Sequence, residues 1–583
     1  MHASTTSSML QPDAVVLAVY APFGADATLS TYPDGVAHGI ADHPLVLNLR
    51  KVAQSGVAVS ALVDLYDDAT YQVDIPADRP EAMIVTPYGK MDMVEPRTLT
   101  ALLIHAHQFA MASHVVLAIE GHGAGYLPDL DLKMLAQQGP GSVAPGTGHG
   151  GSPVLPIPNP TSGGGTDEAT QSPVLPIPNP TSGVSASAMG HSPVLPIPNP
   201  TSHVSASAMG GSPVLPIPNP TSGSPTLPIP NPTSPIPNPT SPTSQMVIST
   251  WGLGAAFRAA EAASVPKLAA IHFNNCFNMS VEVLHTVAPH AEFATGYCNY
   301  NFFTAGQAYP AVFERFATAG SATSEQLAKW FAAENHKVLA EAGHEPTVAG
   351  TVELSRMRDI AEKVDDLSDA LLAALRTASA QERPVVVARI KQAIVASQQY
   401  DSRGDYVLEA PDELTDLDSF ATQLTKVDFG HHKVHGAAHE LHSALSGIKQ
   451  YGDDGSPWMA TGDEWDFSSK NLAMNIFLPD PLLDGLWDWR SQYYLDVNPD
   501  PTRPQLQRHI IDFVKETDWV DFLREYHKGT PFIASLPDPE PHMPLLRSSF
   551  DPRRPDRTKN PRRSAVAARV AAHARGTASP GAQ

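Results

Sequence analysis

The sequence predicts an α/β fold with a mostly parallel sheet flanked by helices, followed by a mainly helical C-terminal part. Ala14 to Ala21, "AVVLAVYA", and Val57 to Leu65, "VAVSALVDL", are continuous apolar runs of strand length. Such runs are typical of strands buried on both faces of a parallel sheet. Helical patterns lie at Leu45 to Ser55 and at Glu95 to Ala112. This alternation of strand and helix predicts an α/β fold.

Two further apolar strands lead to residues that can do chemistry. Val115 to Ile119 runs directly into Glu120-Gly121-His122-Gly123, and Lys267 to Phe273 is followed closely by Cys276. Open α/β sheets place their reactive groups at the carboxyl ends of the strands. Both side chains are therefore expected at the same edge of the sheet.

A proline-rich segment separates these two strands. The unit "SPVLPIPNPTS" begins at Ser152, Ser172, Ser192 and Ser212, and shortened copies continue to Ser244. So many prolines prevent pairing as a strand or coiling as a helix, so the repeats indicate a solvated, polyproline-like linker. Because a helix and a buried strand resume after it, we interpret it as an insertion within one domain.

Helical patterns dominate the C-terminal part, and a late apolar run, Leu472 to Leu478, is predicted to add a strand to the sheet. The helical patterns are Val352 to Ala378, Val385 to Tyr400, Thr415 to Val427, Ala437 to Tyr451 and Gln505 to Thr517. The predicted organisation is 14–138 and 246–345 for the two parts of the sheet domain, 139–245 for the insertion, 350–540 for the helical domain and 551–583 for a basic tail.

Composition excludes several classes of protein. The net charge of -22 argues against general nucleic-acid binding, which needs a basic surface. Two cysteines exclude a disulfide framework and a four-cysteine zinc site. A run of eighteen apolar residues and a basic, apolar leader are both absent from the sequence, so neither a membrane partner nor secretion is expected. We expect a cytoplasmic protein without a cofactor.

Cys276 and His122 form a candidate nucleophile and proton-transfer partner. Cys276 precedes a helical pattern, Met279 to Val287, and a helix N-terminus favours the nucleophilic thiolate. Gly123 has no side chain, so its backbone N–H can point at a developing oxyanion, as can that of Cys276. The competing interpretation is structural, since cysteine is often a small buried residue and histidine between glycines is often a turn residue.

Two other functions compete with a cysteine-dependent enzyme. A serine esterase would use "GHGAG" as its oxyanion segment, but the chain contains no Gly-x-Ser-x-Gly elbow. A catalytically silent scaffold would instead bind partners through the extended "PIPNP" units, which suit SH3-like grooves. Reactivity of Cys276 towards a peptide probe separates the enzyme from the scaffold.

Several segments, in order along the chain, resemble the clostripain family of cysteine peptidases, which belongs to the caspase-like clan. "LTALLIHAHQFAMASHVVLAIEGHGAG" is similar to the family's helix, strand and histidine segment, and "IHFNNCFNMSVEVLHTV" to its nucleophile strand and turn. "CNYNFFTAGQAYP" resembles its substrate-lining loop, "LAMNIFLPDP" its final strand and "TDWVDFLREYH" its closing helix. The resemblance covers roughly residues 14 to 528.

The resemblance implies a caspase-like sheet and peptide-bond hydrolysis through a thioester acyl-enzyme. It makes His122 and Cys276 the catalytic dyad. It also implies substrate binding by Asn274, Asn275, Cys298 and Asn299. The expected partner is a protein or peptide substrate, and the insertion is a candidate site for a regulatory protein. By analogy with the wider clan, a narrow protein target in a regulated or antiviral defence pathway is expected.

One departure from the family concerns specificity. The family commonly has aspartate two residues before the nucleophile, where this chain has Asn274, and a neutral amide does not select a basic side chain unless another acid fills the pocket. No Lys or Arg occurs between Lys133 and Arg258, where relatives are cleaved for activation. We therefore predict that any self-cleavage in this interval follows a non-basic residue.

A histidine cluster is the remaining candidate site. His435 and His439 are four residues apart on one predicted helix face, with His431, His432 and His442 nearby, so a divalent metal is one interpretation. Glu440 is not placed as a His-Glu-x-x-His peptidase requires, and solvated histidines are common on helices. We predict no functional metal.

Overall fold

The computed structural model describes residues 8–131, 248–342, 348–400, 414–450, 458–459, 474–478, 491–496 and 507–529, apart from 25, 34, 67, 300, 302, 431 and 432. The predicted insertion, 139–245, and the predicted basic tail, 551–583, lie outside the described residues. Both predictions stay predictions.

A large mixed sheet forms the centre of the described chain. Its eight longer strands are β1 (Val15–Pro22), β2 (Ala58–Asp64), β3 (Thr70–Ile75), β4 (Ile84–Pro87), β5 (His114–Glu120), β6 (Leu268–Asn274), β7 (Ala291–Tyr297) and β8 (Val348–Glu353). Their order is β8-β7-β6-β5-β1-β2-β3-β4, and two short strands, Lys449–Gln450 and Trp458–Met459, pair with β8. The five strands from β7 to β2 are parallel, and the outer strands on both edges are antiparallel.

Helices cover both faces of this sheet. The helices are α1 (Ala27–Ser30), α2 (Pro44–Gln54), α3 (Pro96–Ala110), α4 (Thr250–Ala262), α5 (Val281–Val287), α6 (Tyr309–Ala319), α7 (Ser324–His336), α8 (Met357–Thr377), α9 (Arg383–Val395), α10 (Leu417–Leu424), α11 (Val434–Ser446), α12 (Ser491–Leu495), α13 (Asp512–Glu516) and α14 (Trp519–Tyr526). A π-helical segment, Lys337–Ala342, continues α7. The α/β fold class predicted from the sequence is confirmed.

Two apolar cores follow from the burial of each strand on both faces. Alternate side chains of β5 enter different cores, since Leu117 packs with α3 and α4 whereas Ala118 packs with α2, α6 and α7. The first core continues without a break into the helices after β8, with Leu371 and Trp519 among its buried members. The C-terminal helices thus share a core with the sheet, while the predicted domain boundaries remain a prediction.

Three elements differ from the sequence prediction. Val348–Glu353 is a strand paired with β7, although the helical pattern was expected from Val352; its β-branched residues suit a sheet edge. The late strand is Asn475–Phe477, and it pairs with Leu414–Asp416 instead of joining the main sheet. Within the predicted helix 505–517, Gln507–His509 is a strand against Asp129–Leu130, and the helix is only α13.

The chain leaves the sheet before the insertion and returns to it at nearly the same place. The Thr250 N–H donates to the Leu127 carbonyl at 3.0 Å, and the Leu127 N–H donates to Thr250 Oγ1 at 2.9 Å. Ser249 Oγ donates to the buried Asp129 carboxylate at 3.1 Å. Arg508 and His509 contact the same carboxylate at 2.8 and 2.6 Å. Contacts among the described residues therefore join the segment that follows β5 to the segment that precedes β6.

Within the described ranges, none of the helices has both the length and the apolar character needed to cross a bilayer.

Candidate active site

The parallel pairing of β5 with β6 brings the two predicted catalytic residues to one edge of the sheet. Glu120 and Asn274 are register partners at the ends of these strands. His122 and Cys276 each lie two residues further on. A methyl group added at Gly123 would lie 2.1 Å from the Cys276 carbonyl oxygen and 2.9 Å from its nitrogen. The histidine loop therefore packs directly on the backbone of the cysteine.

Cys276 lies in a turn that the sequence did not predict in detail. Phe277 has a φ of +61°, and α5 begins only at Val281. The helix dipole acts mainly within the first turn, so the expected support of the thiolate by this helix is weaker than the sequence suggested. The Cys276 side chain contacts the backbone of Asn301, whose N–H donates to Sγ at 3.3 Å while Sγ donates to the carbonyl at 3.4 Å. Cys276 is 7% exposed.

His122 is held by a carboxylate that follows the neighbouring strand, β1. Its Nε2 lies 2.9 Å from Asp26 Oδ2, and both residues are buried. Asp26 also caps α1, because its Oδ1 accepts from the Thr28 N–H at 2.8 Å. Burial alone would raise the pKa of Asp26, but the hydrogen bond and charge of His122, with Thr28, hold it below its ordinary value. Asp26 is thus a carboxylate that orients the imidazole through Nε2 and leaves Nδ1 outside this contact.

Asp26 was missed by the sequence analysis, although a signal existed. It follows the carboxyl end of β1, and β1 is the strand beside β5. The rule that placed His122 and Cys276 at the same edge applies equally to Asp26. An aspartate after a strand is common, however, and nothing else in "PFGADATLS" marked it.

Glu120 provides an acid beside Asn274, the position where the family commonly has aspartate. Asn274 Nδ2 donates to both carboxylate oxygens of Glu120, at 3.1 and 3.0 Å, and the Tyr309 hydroxyl also donates to this carboxylate. Glu120 is fully buried, which raises its pKa to about 7 even though the Tyr309 and Asn274 hydrogen bonds lower it. Two carboxyl groups at this separation would not both ionise. Glu120 on β5 therefore accounts physically for a neutral residue at position 274.

Replacing Glu120 by glutamine is expected to flatten the pH dependence of stability. Between the ordinary pKa of 4.5 and the folded value of about 7, the native protein keeps a proton that the unfolded chain has lost. Wild-type stability therefore falls as pH rises through this window, by about 3 kcal/mol in total. Urea unfolding at pH 5 and pH 8 measures the difference. Glu81→Gln, at an exposed site, is the control and should match wild type; equal declines in all three proteins would contradict the assignment.

The other predicted substrate-binding residues are engaged within the protein. Asn275 is 1% exposed and accepts from Asn278 Nδ2 at 2.8 Å. Asn299 is buried, and its Oδ1 accepts from the Val348 N–H at 2.8 Å. Cys298 is also buried, and its side chain interacts with Tyr400. These buried contacts favour structural roles for Cys298 and Asn299, while their part in substrate binding stays a prediction.

The late strand holds the cysteine turn from the C-terminal side. Asn475 is fully buried, and its Nδ2 donates to the carbonyls of Phe277 and Cys298 at 2.9 and 2.8 Å. Its backbone N–H donates to the Met279 carbonyl at 2.9 Å. Glu282 accepts from the Phe477 N–H at 3.0 Å. Asn475 was not singled out from the sequence, because a lone asparagine in an apolar run gives no signal of this role.

A small cavity lies beside the site. A cavity of about 10 Å³, lined by Tyr20, Glu120, His122, Asn275 and Asn278 among others, lies beside the ends of β1 and β5. Such a volume holds roughly one water molecule. This cavity by itself is too small for an amino-acid side chain.

The histidine cluster does not assemble a metal site in the part of the chain that is described. No group of three or more His, Cys, Asp or Glu side chains there is placed to hold a metal ion. His442 Nδ1 lies 2.5 Å from Asp418 Oδ1, and Glu440 pairs with Lys363 at 2.6 Å. His431 and His432 lie outside the described residues.

Comparison with known proteins finds similarity to solved protease structures. A secreted C11 cysteine protease from Bacteroides thetaiotaomicron is 9% identical, with 80% of this chain and 94% of that chain covered and a TM-score of 0.43. A second structure of a secreted C11 cysteine protease from the same organism, in complex with an irreversible peptide inhibitor, is 12% identical. It covers 87% of this chain and 99% of that chain, with a TM-score of 0.43. An inactive zymogen C11 protease from Parabacteroides distasonis is 10% identical, with 81% of this chain and 93% of that chain covered and a TM-score of 0.40. No protein-family model and no curated protein sequence matches the chain.

The prediction of a cytoplasmic location is corrected by these matches. Two of the structures are of secreted proteases, which opposes a cytoplasmic assignment, and that assignment is not retained. The chain is similar to C11 cysteine proteases, and the structural matches name the same clostripain family that the sequence resembles.

Proposed function

We propose that this protein is a cysteine endopeptidase in which Cys276 is the nucleophile and His122 its proton-transfer partner. The observation that carries the proposal is the packing of the histidine loop directly on the Cys276 backbone, with the His122 ring fixed by Asp26. Scattered buried residues would not need a glycine at the contact and a buried carboxylate on the ring.

Each group has a distinct role in the proposed reaction. His122 takes the thiol proton at Nδ1, and the Cys276 sulfur attacks the carbonyl carbon of the substrate to form a tetrahedral intermediate. Collapse of this intermediate breaks the C–N bond, and His122 returns the proton to the departing amine. Water then hydrolyses the thioester, which restores the thiol. The Asp26 carboxylate stabilises the imidazolium that forms between these steps.

Backbone donors complete the proposed site. Gly123 and Cys276 each carry an N–H at the contact between the two loops. Donors fixed in this way stabilise the negative charge that develops on the carbonyl oxygen. The turn that carries the Cys276 N–H is held by the buried Asn475, which restrains its geometry.

Restricted access fits a peptidase with a narrow protein target in a regulated or defence pathway. Both proposed catalytic side chains are nearly buried, and the adjoining cavity is small. Part of the regulation is proposed to come from a protein that binds the repeats of the insertion. Removing 139–245 and measuring both partner binding and peptidase activity tests this role; no change in either would contradict it.

Labelling by a thiol-reactive peptide probe tests the proposed chemistry. Wild type is expected to be modified at Cys276, Cys276→Ala to be unreactive, and His122→Ala to react about 10²-fold more slowly. Cys298→Ala is the matched control, since it removes the other buried cysteine and should label normally.

The same experiment separates the peptidase from a catalytically silent scaffold that binds partners through its repeats. The scaffold predicts equal, slow reaction at Cys276 and Cys298 and no effect of His122→Ala. Either result would overturn the peptidase.

A further inference from the structure

We propose that the pocket beside Cys276 selects a carboxamide side chain, that of asparagine or glutamine, on the residue whose carbonyl is attacked, and that Asn301 occupies this pocket in the uncomplexed protein. The inference rests on the proposed peptidase function and adds its substrate class. It follows from the orientation of Asn274, from the contacts of Asn301 and from the buried polar groups around them.

The Asn274 amide has a fixed orientation. Its nitrogen donates to both oxygens of Glu120, so its oxygen must face the opposite way. That oxygen accepts from Asn301 Nδ2 at 3.0 Å. The pocket therefore offers a hydrogen-bond acceptor, and its neutral group stands in front of the buried acid.

Asn301 makes the contacts expected of a bound residue. Its backbone N–H and carbonyl both lie against Cys276 Sγ, at 3.3 and 3.4 Å, while its side-chain amide donates to Asn274. A substrate asparagine would likewise place its main chain at the nucleophile and its carboxamide in the adjoining pocket. Asn301 is therefore an internal example of the carboxamide group that complements Asn274.

Unsatisfied polar atoms remain on Asn301 itself and on two other buried residues, Tyr297 and Asn275. Asn301 Oδ1 is buried and has no hydrogen-bond partner among the described residues. Tyr297 Oη and Asn275 Nδ2 also lack a hydrogen-bond partner among the described residues, and both residues are 1% exposed. Burial, with the charges of Glu120 and Cys276, raises the pKa of Tyr297, so its hydroxyl keeps the proton that it can donate. A substrate amide whose oxygen reaches such a donor would satisfy groups that Asn301 leaves unpaired, which favours displacement of Asn301.

Other side-chain classes fit this pocket less well. A carboxylate would face the Asn274 oxygen with Glu120 behind it, and like charges repel. Leucine, of similar shape to asparagine, would leave the Asn274 oxygen buried and unpaired. A cation would have to be desolvated beside an acid that already accepts hydrogen bonds from Tyr309 and Asn274 and is partly protonated at neutral pH.

The sequence of the insertion shows where a carboxamide-selective enzyme would cut itself. Every asparagine between Lys133 and Arg258 precedes proline, as Asn159 does, and proline both lacks an N–H and crowds the residue before it. Glutamines without a following proline occur at Gln137, Gln138, Gln171 and Gln245. Any Cys276-dependent cut in this interval is therefore expected after glutamine.

A matched panel of peptide probes tests the selectivity. The probes share one sequence and one thiol-reactive group and differ only at the residue next to it, which is Asn, Gln, Asp, Leu, Lys or Arg. We expect wild type to be labelled at least about tenfold faster by the better carboxamide probe than by Leu or Asp, the worth of one good hydrogen bond. Asn301→Ala should label several-fold faster with the same order of preference. Asn48→Ala, which removes a different amide contact to the same loop at Ala305, should match wild type.

The outcomes distinguish the two proposals. Labelling at Cys276 that is fastest with Lys, Arg or Leu overturns the carboxamide pocket and leaves the peptidase in place. An equal gain in Asn301→Ala and Asn48→Ala overturns the role of Asn301. No labelling of Cys276 by any probe overturns the proposed function and the inference together.

Discussion

Asp26→Asn is expected to lower kcat/KM by about 10²- to 10⁴-fold with little change in stability. Asparagine can still accept the Thr28 N–H and cap α1, so local structure is kept. Its amide, however, would donate to His122 Nε2, which forces the ring proton onto Nδ1. That nitrogen would then be unable to take the proton from Cys276.

The alanine variant separates this tautomer effect from loss of structure. Asp26→Ala removes the cap and should lower Tm, yet it leaves the His122 ring free to choose its tautomer. It is therefore expected to be less stable but more active than Asp26→Asn. Asp42→Asn, at an exposed position, should match wild type in both measurements. Activity of Asp26→Ala at or below that of Asp26→Asn would contradict the tautomer role.

Gly123→Ala is expected to reduce kcat/KM by about 10²-fold or more. The added methyl group would lie 2.1 Å from the carbonyl oxygen of Cys276, and this neighbour is backbone, so the histidine loop must move. A displacement of about 1 Å between reacting groups is enough for such a loss. Because the loop can shift outward, Tm should fall much less than activity.

A glycine with open space around it is the control for this variant. Gly39→Ala introduces a methyl group with nothing within 4 Å, so activity and Tm should both stay at wild-type values. Full activity of Gly123→Ala would show that the two loops need not touch during the reaction.

Much of the framework was predictable because it follows from short-range patterns. The apolar runs of β1, β2, β5 and β6 are long enough to identify buried parallel strands, and parallel strands end at one edge. That rule alone placed His122 beside Cys276. The antiparallel strand β8 was taken in part for helix, since "VAGTVELSRM" passes directly from strand into helical periodicity.

The supporting residues were not predictable because their roles depend on long-range contacts. Glu120 was taken as the end of a strand, and only the pairing with β6 sets its carboxylate against Asn274. Asn475 reaches Phe277 across 198 positions in the chain. Asn301 contacts Cys276 from outside any helix or strand, so no periodic pattern marks it. The spacing of residues in a single sequence does not predict such long-range contacts.

The two hydrogen bonds between Leu127 and Thr250 have an evolutionary consequence. Because Leu127 and Thr250, which lie on either side of the repeats in the sequence, are hydrogen-bonded to each other, we expect the fold to tolerate different numbers of repeats between them. For a solvated linker, as the sequence predicts, doubling the length costs only about 0.6 kcal/mol of closure free energy. Tandem copies of "SPVLPIPNPTS" are also prone to unequal exchange at the level of DNA. We therefore expect repeat number to differ among close relatives while the strands that carry His122 and Cys276 keep their pairing.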